Sequence, residues 1–459
     1  CTHIIVPNIM VQPHDEERFE DDPDDYVRLE LEGDVGSRRH STCDFVSALS
    51  YTYEDLLVPT FLEFVSQLIT KYNENPTSGW KYKDAAIRII IAITNKFGAI
   101  KFGTVQISRF LEINNVFKDM ILHDILNPLT HPILLACCIK FMINFRKILD
   151  EKLINDNLAK FCFLLSHRSL VIQYLSCVFF EDIFLPPNHS LALIRLNLIT
   201  DQLPAIYSHL VALIRPSSQH TCEISLKCLI SMLLHTHSHS KPYLSTILEA
   251  FSSTLNIINT ISLKPPYLHY LYEGLCLCLR MIYIHLPQGF PDLSSQFLTR
   301  IPQLIEQDIS NSCDYLIQIT STIISRYCPF QMPEVKSLYY RVLSPESWEG
   351  DTDHIYSSTL LMSAFMKAIS MYVISNNDYQ MFINAFTKLS QNSKHDAVVF
   401  NILKSLVLYL PWSSQTPFPV NIFDVIFYRL TRCKKPKFIS GFCDFIYIFL
   451  TKFSASYFY

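Results

Sequence analysis

The residues best equipped for chemistry stand near the start of the chain, in FEDDPDDYVRLELEGDVGSRRH from Phe19 to His40. Asp21, Asp22, Asp24 and Asp25 precede Tyr26 and Arg28, and a second basic group, Arg38 and Arg39, follows. Two carboxylates can divide acid and base work only in a pocket that separates their pKa values. Consecutive aspartates around a proline offer no such pocket. They fit a helix start instead, with Asp22 as N-cap, Pro23 at the first position, and Asp24 and Asp25 against the positive helix end. Tyr26, Val27, Leu29 and Leu31 give a short apolar side, and Gly33 is expected to stop the helix. Ser37 caps a second helix, whose buried side falls at Cys43, Val46 and Leu49. Arg38 and Arg39 in that first turn oppose the macrodipole, so the acids upstream should compensate them. Alternatively, acids and arginines together face a bound protein.

The other candidate is HTHSH, with His235, His237 and His239 just before Lys241 and Pro242. A metal there would need a carboxylate or cysteine from elsewhere, and the spacing splays the imidazoles on a helix. Histidines near a helix C-terminus are favourable through the dipole alone, so the expectation is a surface helix end without metal. No GxGxxG, GxxxxGK[ST], GxSxG, HExxH or CxxC is present. Only 9 glycines are available for phosphate-cradling loops. The reading is no catalytic residue, no cofactor and no metal.

The elements that position these residues are helices. Hydrophobic residues make up 49% and charged ones 17% of 459, which excludes a largely disordered chain. With glycine scarce, the 24 prolines must punctuate helices rather than strands. In KYKDAAIRIIIAITNKFG, apolar residues fill one broad face, Lys81, Lys83 and Arg88 ride elsewhere, and Gly98 ends the run. In HPILLACCIKFMINFRKIL, Pro132 opens the helix and Lys140, Arg146 and Lys147 face out. Such stretches recur, starting near Trp80, His131, His167, Ser217, Pro265, Asp308, His354, Lys394 and Lys435. Steps of about 40 to 50 residues are those of HEAT and armadillo repeats. Each pair leaves an apolar face that its neighbours bury. The predicted fold is all-α, one right-handed HEAT-repeat solenoid of about ten helical pairs over residues 1–459.

Charge and cysteine usage narrow the partners. Formal net charge is −4, yet residues 15–34 hold eleven acids and two arginines, a local −9 against about +5 elsewhere. That acidic segment suits a protein partner with a basic surface, whereas no basic domain suggests nucleic acid. The 14 cysteines sit mostly inside apolar runs, as small hydrophobes of a reducing, intracellular compartment. The most apolar stretch, from Leu268, carries Glu273 and Arg280 in its middle, where a bilayer would exact several kcal/mol. No membrane insertion is expected. The chain opens at Cys1 and closes on FSASYFY, as a fragment would.

At the opening stretch the sequence resembles the CAS-type exportin-2 family, karyopherin-β receptors that return importin-α from the nucleus. The likeness runs through Phe19-Glu20-Asp21-Asp22, Tyr26-Val27-Arg28, Leu31-Glu32-Gly33 and Ser37-Arg38-Arg39-His40. It continues in Trp80-Lys81-Tyr82-Lys83-Asp84-Ala85-Ala86-Ile87, Ile139-Lys140-Phe141 with Phe145-Arg146, and His269-Tyr270-Leu271-Tyr272-Glu273. Gln307-Asp308-Ile309 with Tyr315, Trp348-Glu349, and Phe427-Tyr428-Arg429-Leu430 follow in the family's order. Leu29-Glu30 stands where the family has an arginine–aspartate pair, and His40 where it has a third arginine. The resemblance implies a non-enzymatic receptor that clamps importin-α with Ran-GTP, shuttles through the nuclear pore past pore proteins, and releases cargo in the cytoplasm after GTP hydrolysis. It also implies that the Ran-binding N-terminal arch precedes this chain, which then holds Ran weakly or not at all. Asp21, Asp22, Asp24, Asp25, Tyr26, Arg28, Arg38 and Arg39 become the expected partner-binding residues. From composition and repeats alone, a phosphatase- or coat-type HEAT scaffold stays open.

Overall fold

The computed structural model describes residues 3–32, 37–94, 108–184, 189–214, 219–257, 265–307, 313–432 and 435–453. These are helices joined by short turns, and no strand occurs among them. They gather into two compact units, Cys1–Thr254 and Leu255–Tyr459.

In the first unit the helices Trp80–Thr94, Pro132–Phe145, Leu170–Phe184 and Gln219–Thr236 form a row, each packed on the next. These are helices whose starts the apolar periodicity marks. A preceding helix backs several of them, as Glu54–Glu74 backs the Trp80 helix and Leu203–Leu213 backs the Gln219 helix. Local chemistry sets the row's spacing. The Gly79 amide donates to the Asn75 carbonyl at 2.8 Å, and a Cβ at Gly79 would sit 2.7 Å from that oxygen, so only glycine turns the chain there. Trp80 then stacks on His131, ring centroids 3.7 Å apart, and His131 Nδ1 accepts from the Ile133 amide at the mouth of the next row helix.

A further helix, Pro23–Glu32, lies against this row, packing on the Leu170 and Gln219 helices much later in the chain. Arg38–Thr52 and Glu54–Glu74 cover the Trp80 helix, Leu122–Leu126 packs on the Pro132 helix, and Glu30 reaches both row helices from Pro23–Glu32, so Lys83–Thr94 and Ile133–Phe145 are buried on every side. Lys83, Arg88 and Lys140 were expected to face out, yet all three are buried and each meets a carboxylate. Arg146 is likewise drawn in, to Asp182, and Arg195 to Glu151 and the Ile183 carbonyl. A periodicity count cannot see a covering element supplied from a distant part of the chain. The glycines expected to end helices, Gly33 and Gly98, lie outside the described residues.

In the second unit the row comprises Pro265–His285, Cys313–Ile324, Thr352–Ala368, Asp396–Tyr409 and Pro436–Lys452, backed by Phe290–Gln307, Pro333–Leu343, Tyr379–Leu389 and Ile422–Leu430. Equivalent positions of successive pairs touch. Gln318 donates to Ser357 Oγ (3.0 Å), Ser405 to Ser363 (2.9 Å), the Tyr339 hydroxyl to Asp378 (2.6 Å) and Lys435 to Ser393 (3.1 Å). These partners are 39 to 42 residues apart. A constant offset in one direction means parallel, repeating two-helix units, the all-α HEAT-repeat solenoid fold. No described helix is long and apolar enough to cross a membrane. Prolines open helices at Pro13, Pro132, Pro333 and Pro436, but Pro59 and Pro302 sit inside helices, where punctuation was expected. The described cysteines are free thiols, several fully buried.

Two row helices approach closely at Gly441, where an added Cβ would lie 2.4 Å from Phe400 Cδ2. Helix propensity alone favours alanine there by about 1 kcal/mol. Overpacking against a buried ring costs about 1–3 kcal/mol. Gly441→Ala is therefore expected to lower the melting temperature, and Gly441→Ala with Phe400→Leu to regain part of it. A higher melting temperature for the single variant would contradict this packing.

Candidate partner-binding site

The acidic leader is itself a helix, Pro13–Asp21, and not the loop its composition suggests. Gln12 and Asp15 form a capping box, with the Gln12 amide donating to Asp15 Oδ2 at 2.9 Å. Phe19 and Tyr26 meet edge to face at 5.0 Å and fix the bend into Pro23–Glu32. At that bend Asp22 accepts from the Asp25 amide at 3.0 Å, the N-cap read from the sequence. Ser37 caps Arg38–Thr52 through the His40 amide, also as read.

Beneath these helices lies a buried ionic cluster. Glu30 binds Arg88 through both oxygens (2.7 and 3.1 Å) and Lys140 at 2.6 Å. Arg88 also reaches Asp84 at 3.4 Å. Arg39 binds the same Asp84 and donates from Nε to the Ile9 carbonyl at 2.7 Å. Burial opposes the charge on Glu30, but Arg88 and Lys140 outweigh it and hold the carboxyl well below its usual range. Burial likewise opposes Arg88, and Glu30 and Asp84 overcome it. Burial pushes the Tyr26 phenol far up, with Glu30 adding to the effect. The cluster ties four helices together: Glu30 from Pro23–Glu32, Arg39 from Arg38–Thr52, Asp84 and Arg88 from the Trp80 helix, and Lys140 from the Pro132 helix.

This geometry sorts the expected partner-binding residues. Tyr26 and Arg39 were expected at a partner surface; each is 4% exposed and packed among the helices of the first unit. Arg38 leans on Asp15 (3.8 Å) and the Met10 carbonyl, the compensation by upstream acid that the dipole argument requires. Arg39 instead takes its acid from Asp84, a pairing across 45 residues. Asp21, Asp22 and Arg28 are exposed, and Asp24 and Asp25 half-buried, with Asp25 held by Arg18 and Arg28. Glu17 and Glu20, unnoticed in the motif, join the exposed face from the helix before it. Their spacing along a helix was the available signal.

The histidine motif resolves differently. His235 is buried against the Phe184 ring, centroids 5.2 Å apart, not on a surface helix end. Burial, then Arg195 and His237, pull its pKa down to about 4. In the second unit, Cys313, Asp314 and His354 bring ligand atoms within 4.8 Å of one another. The Arg341 guanidinium stands 3.7 Å from Cys313 Sγ, and two helix N-termini converge there, so the local potential opposes a cation. His354 Nδ1 and Asp314 Oδ1, 2.8 Å apart, act as a staple between repeats.

Removing one partner of a buried ion pair costs about 3–5 kcal/mol, because the other charge is left stranded. Glu30→Gln is expected to destabilise the first unit by that order in chemical denaturation, and adding Lys140→Met to recover part. A negligible loss in the single variant would show that the cluster does not hold the helices. His235 sets a pH dependence. Its imidazole titrates near 6.5 when unfolded and about 4 when folded, so stability is full above 6.5 and falls as pH drops toward 4. His235→Leu should flatten that limb of a melting-temperature profile, and parallel profiles would contradict it.

The described family Cse1 matches residues 1–179, and CAS/CSE protein, C-terminus, matches residues 183–459. Exportin-2 of Drosophila melanogaster is 27% identical over 463 residues, and that of Homo sapiens 26% identical, each aligned over 99% of this chain and 47% of the relative. The chain thus spans about half the length of these relatives. A solved structure, "The exportin Cse1 in its cargo-free, cytoplasmic state", superimposes with a TM-score of 0.82 at 22% identity, over 99% of this chain and 48% of that one. With family matches across both halves and the helical-repeat fold in common, the chain belongs to the CAS/CSE family.

Proposed function

We propose that this chain is the central and C-terminal part of a nuclear export receptor of the karyopherin-β class. In this reading it binds importin-α together with Ran-GTP in the nucleus, passes the nuclear pore by contacts with pore proteins, and releases cargo in the cytoplasm after GTP hydrolysis. It supplies binding surface and no catalysis. The observation that carries the reading is family membership over both halves of the chain, with relatives named Exportin-2. The exposed acids of the two leading helices, Glu17, Glu20, Asp21 and Asp22, with Asp24, Asp25 and Arg28 beside them, support a basic partner surface. Complementary charge steers encounter and fixes register more than it adds raw affinity.

In the full-length parent, importin-α should be recovered with Ran loaded with GTP and lost with GDP. Equal recovery with either nucleotide would overturn the receptor reading. Glu17→Gln, Glu20→Gln and Asp21→Asn together spare the cap at Asp22. They should weaken cargo binding about tenfold at low salt, at roughly 0.5 kcal/mol per exposed charge. The salt dependence should flatten as well. Unchanged affinity at every salt concentration would leave these acids as solvated helix starts.

A further inference from the structure

Positive charge gathers along one end of the second unit's helix row. Arg280 lies in Pro265–His285, Arg326 just beyond Cys313–Ile324, and Lys367 in the last turn of Thr352–Ala368. Arg280 and Lys367 are exposed and Arg326 partly so, and among the described residues no carboxylate pairs with any of them. The acids of the same helices, Glu273, Asp314 and Asp353, lie toward the opposite end.

The register of the row brings Arg280 and Arg326 level, with Lys367 at the same end of the next helix. Tyr272 stacks on Tyr315 at 5.1 Å, the side chains of Cys276 and Thr322 are hydrogen-bonded, and the Arg326 guanidinium lies 5.4 Å from the Tyr283 ring centroid. Arg280 follows Cys276 by one turn, as Arg326 follows Thr322. Gln318 and Ser357 set the next step, and Lys367, in the last turn of its helix, lies two residues further from that contact than Arg326 does. The result is a ladder with one cation per repeat.

A helix dipole favours a cation at its own C-terminus. It does not account for arginines of adjacent helices facing each other without an acid. Burial and then Arg280 pull Arg326 below the ordinary arginine range; Tyr283 and Cys276 oppose the shift without reversing it, and among the described residues no carboxylate is there to balance the two guanidiniums. An external anion would do so.

We propose that Arg280, Arg326 and Lys367 form a docking groove for an extended acidic segment of a partner protein, one carboxylate to each rung. Packed helices stand roughly 8–10 Å apart, and a polyproline II chain, with three residues per turn, advances about 3.1 Å per residue and returns every third side chain to the same face. A carboxylate at every third position therefore meets successive rungs. The arginine rungs can each grip a carboxylate through two N–H donors. Tyr283 and Ile284, 42% and 65% exposed beside Arg280, add an apolar contact at the first rung. This groove takes a partner of opposite charge to the acidic face of the first unit, and it does not depend on the export reading.

Fluorescence anisotropy on the whole chain tests it, with a fluorescein-labelled peptide of four Glu-Gly-Ser repeats. The peptide should bind at low salt, and its Gln-Gly-Ser counterpart should not. A peptide of the same composition with its glutamates contiguous should bind more weakly. Arg280→Gln, Arg326→Gln and Lys367→Gln together should weaken binding about tenfold, while Arg280→Lys, Arg326→Lys and Lys367→Arg should retain it. Should the triple variant melt early, Arg280→Gln and Lys367→Gln alone, whose side chains make no described hydrogen bond, should each cost about twofold. Binding of the glutamine peptide, affinity indifferent to these substitutions, or tighter binding of a twelve-nucleotide oligouridylate would overturn the proposal.

Discussion

The first unit depends on the carboxylate of Glu30. Arg88 and Lys140 belong to two neighbouring helices of the row, and each is buried where an open solenoid would let it reach water. Glu30 enters between them from a helix more than fifty residues away in sequence and binds both. Without it, Lys140 would lose its carboxylate and Arg88 would share Asp84 with Arg39, in an apolar setting where an unbalanced charge is far costlier than a lost exposed pair. The cluster therefore does more than add stability. It ties the Pro23–Glu32 helix to the row, because Glu30 meets Arg88 and Lys140 on two different row helices.

That placement has consequences on both sides of the helix. The side facing the row is committed, through Tyr26, Val27 and Glu30, to holding the chain together. The other side carries exposed acids and is available to a partner. One short motif thus divides its residues between a buried cluster and an exposed acidic face. The same motif read as a string gives every charged residue the same apparent role.

The second unit uses the same repeat geometry without such a cover. Its row helices keep a polar, partly exposed side: His269, Glu273 and Arg280 on one helix, Tyr356 and Lys367 on another. The links between repeats there, among the described residues, are hydrogen bonds and single ion pairs such as His354–Asp314 and Arg429–Asp396, not one central ionic cluster. Each unit buries its apolar surface by stacking, and many modest contacts share the work. Such an architecture offers long surfaces for binding and little opportunity to isolate reacting groups from water. Long binding surfaces of this kind are what the proposed receptor reading calls for.

Much of this was determined by sequence alone. Periodicity located the row helices from Trp80 to Pro436, because burying one face of a helix imposes a 3.6-residue pattern whatever the neighbours are. Asp22 and Ser37 were legible as caps because capping is a contact within three residues. Tertiary structure alone decided which charges are inside. Arg39 and Asp84 are 45 residues apart, and Lys140 and Glu30 are 110 apart. Nothing local distinguishes them from the solvated Asp21 or Arg28. His235 and the cation ladder share that origin, since burial and register arise only when distant helices pack. Local sequence encodes what a residue can do, and the packing of remote segments selects which of those capacities is used.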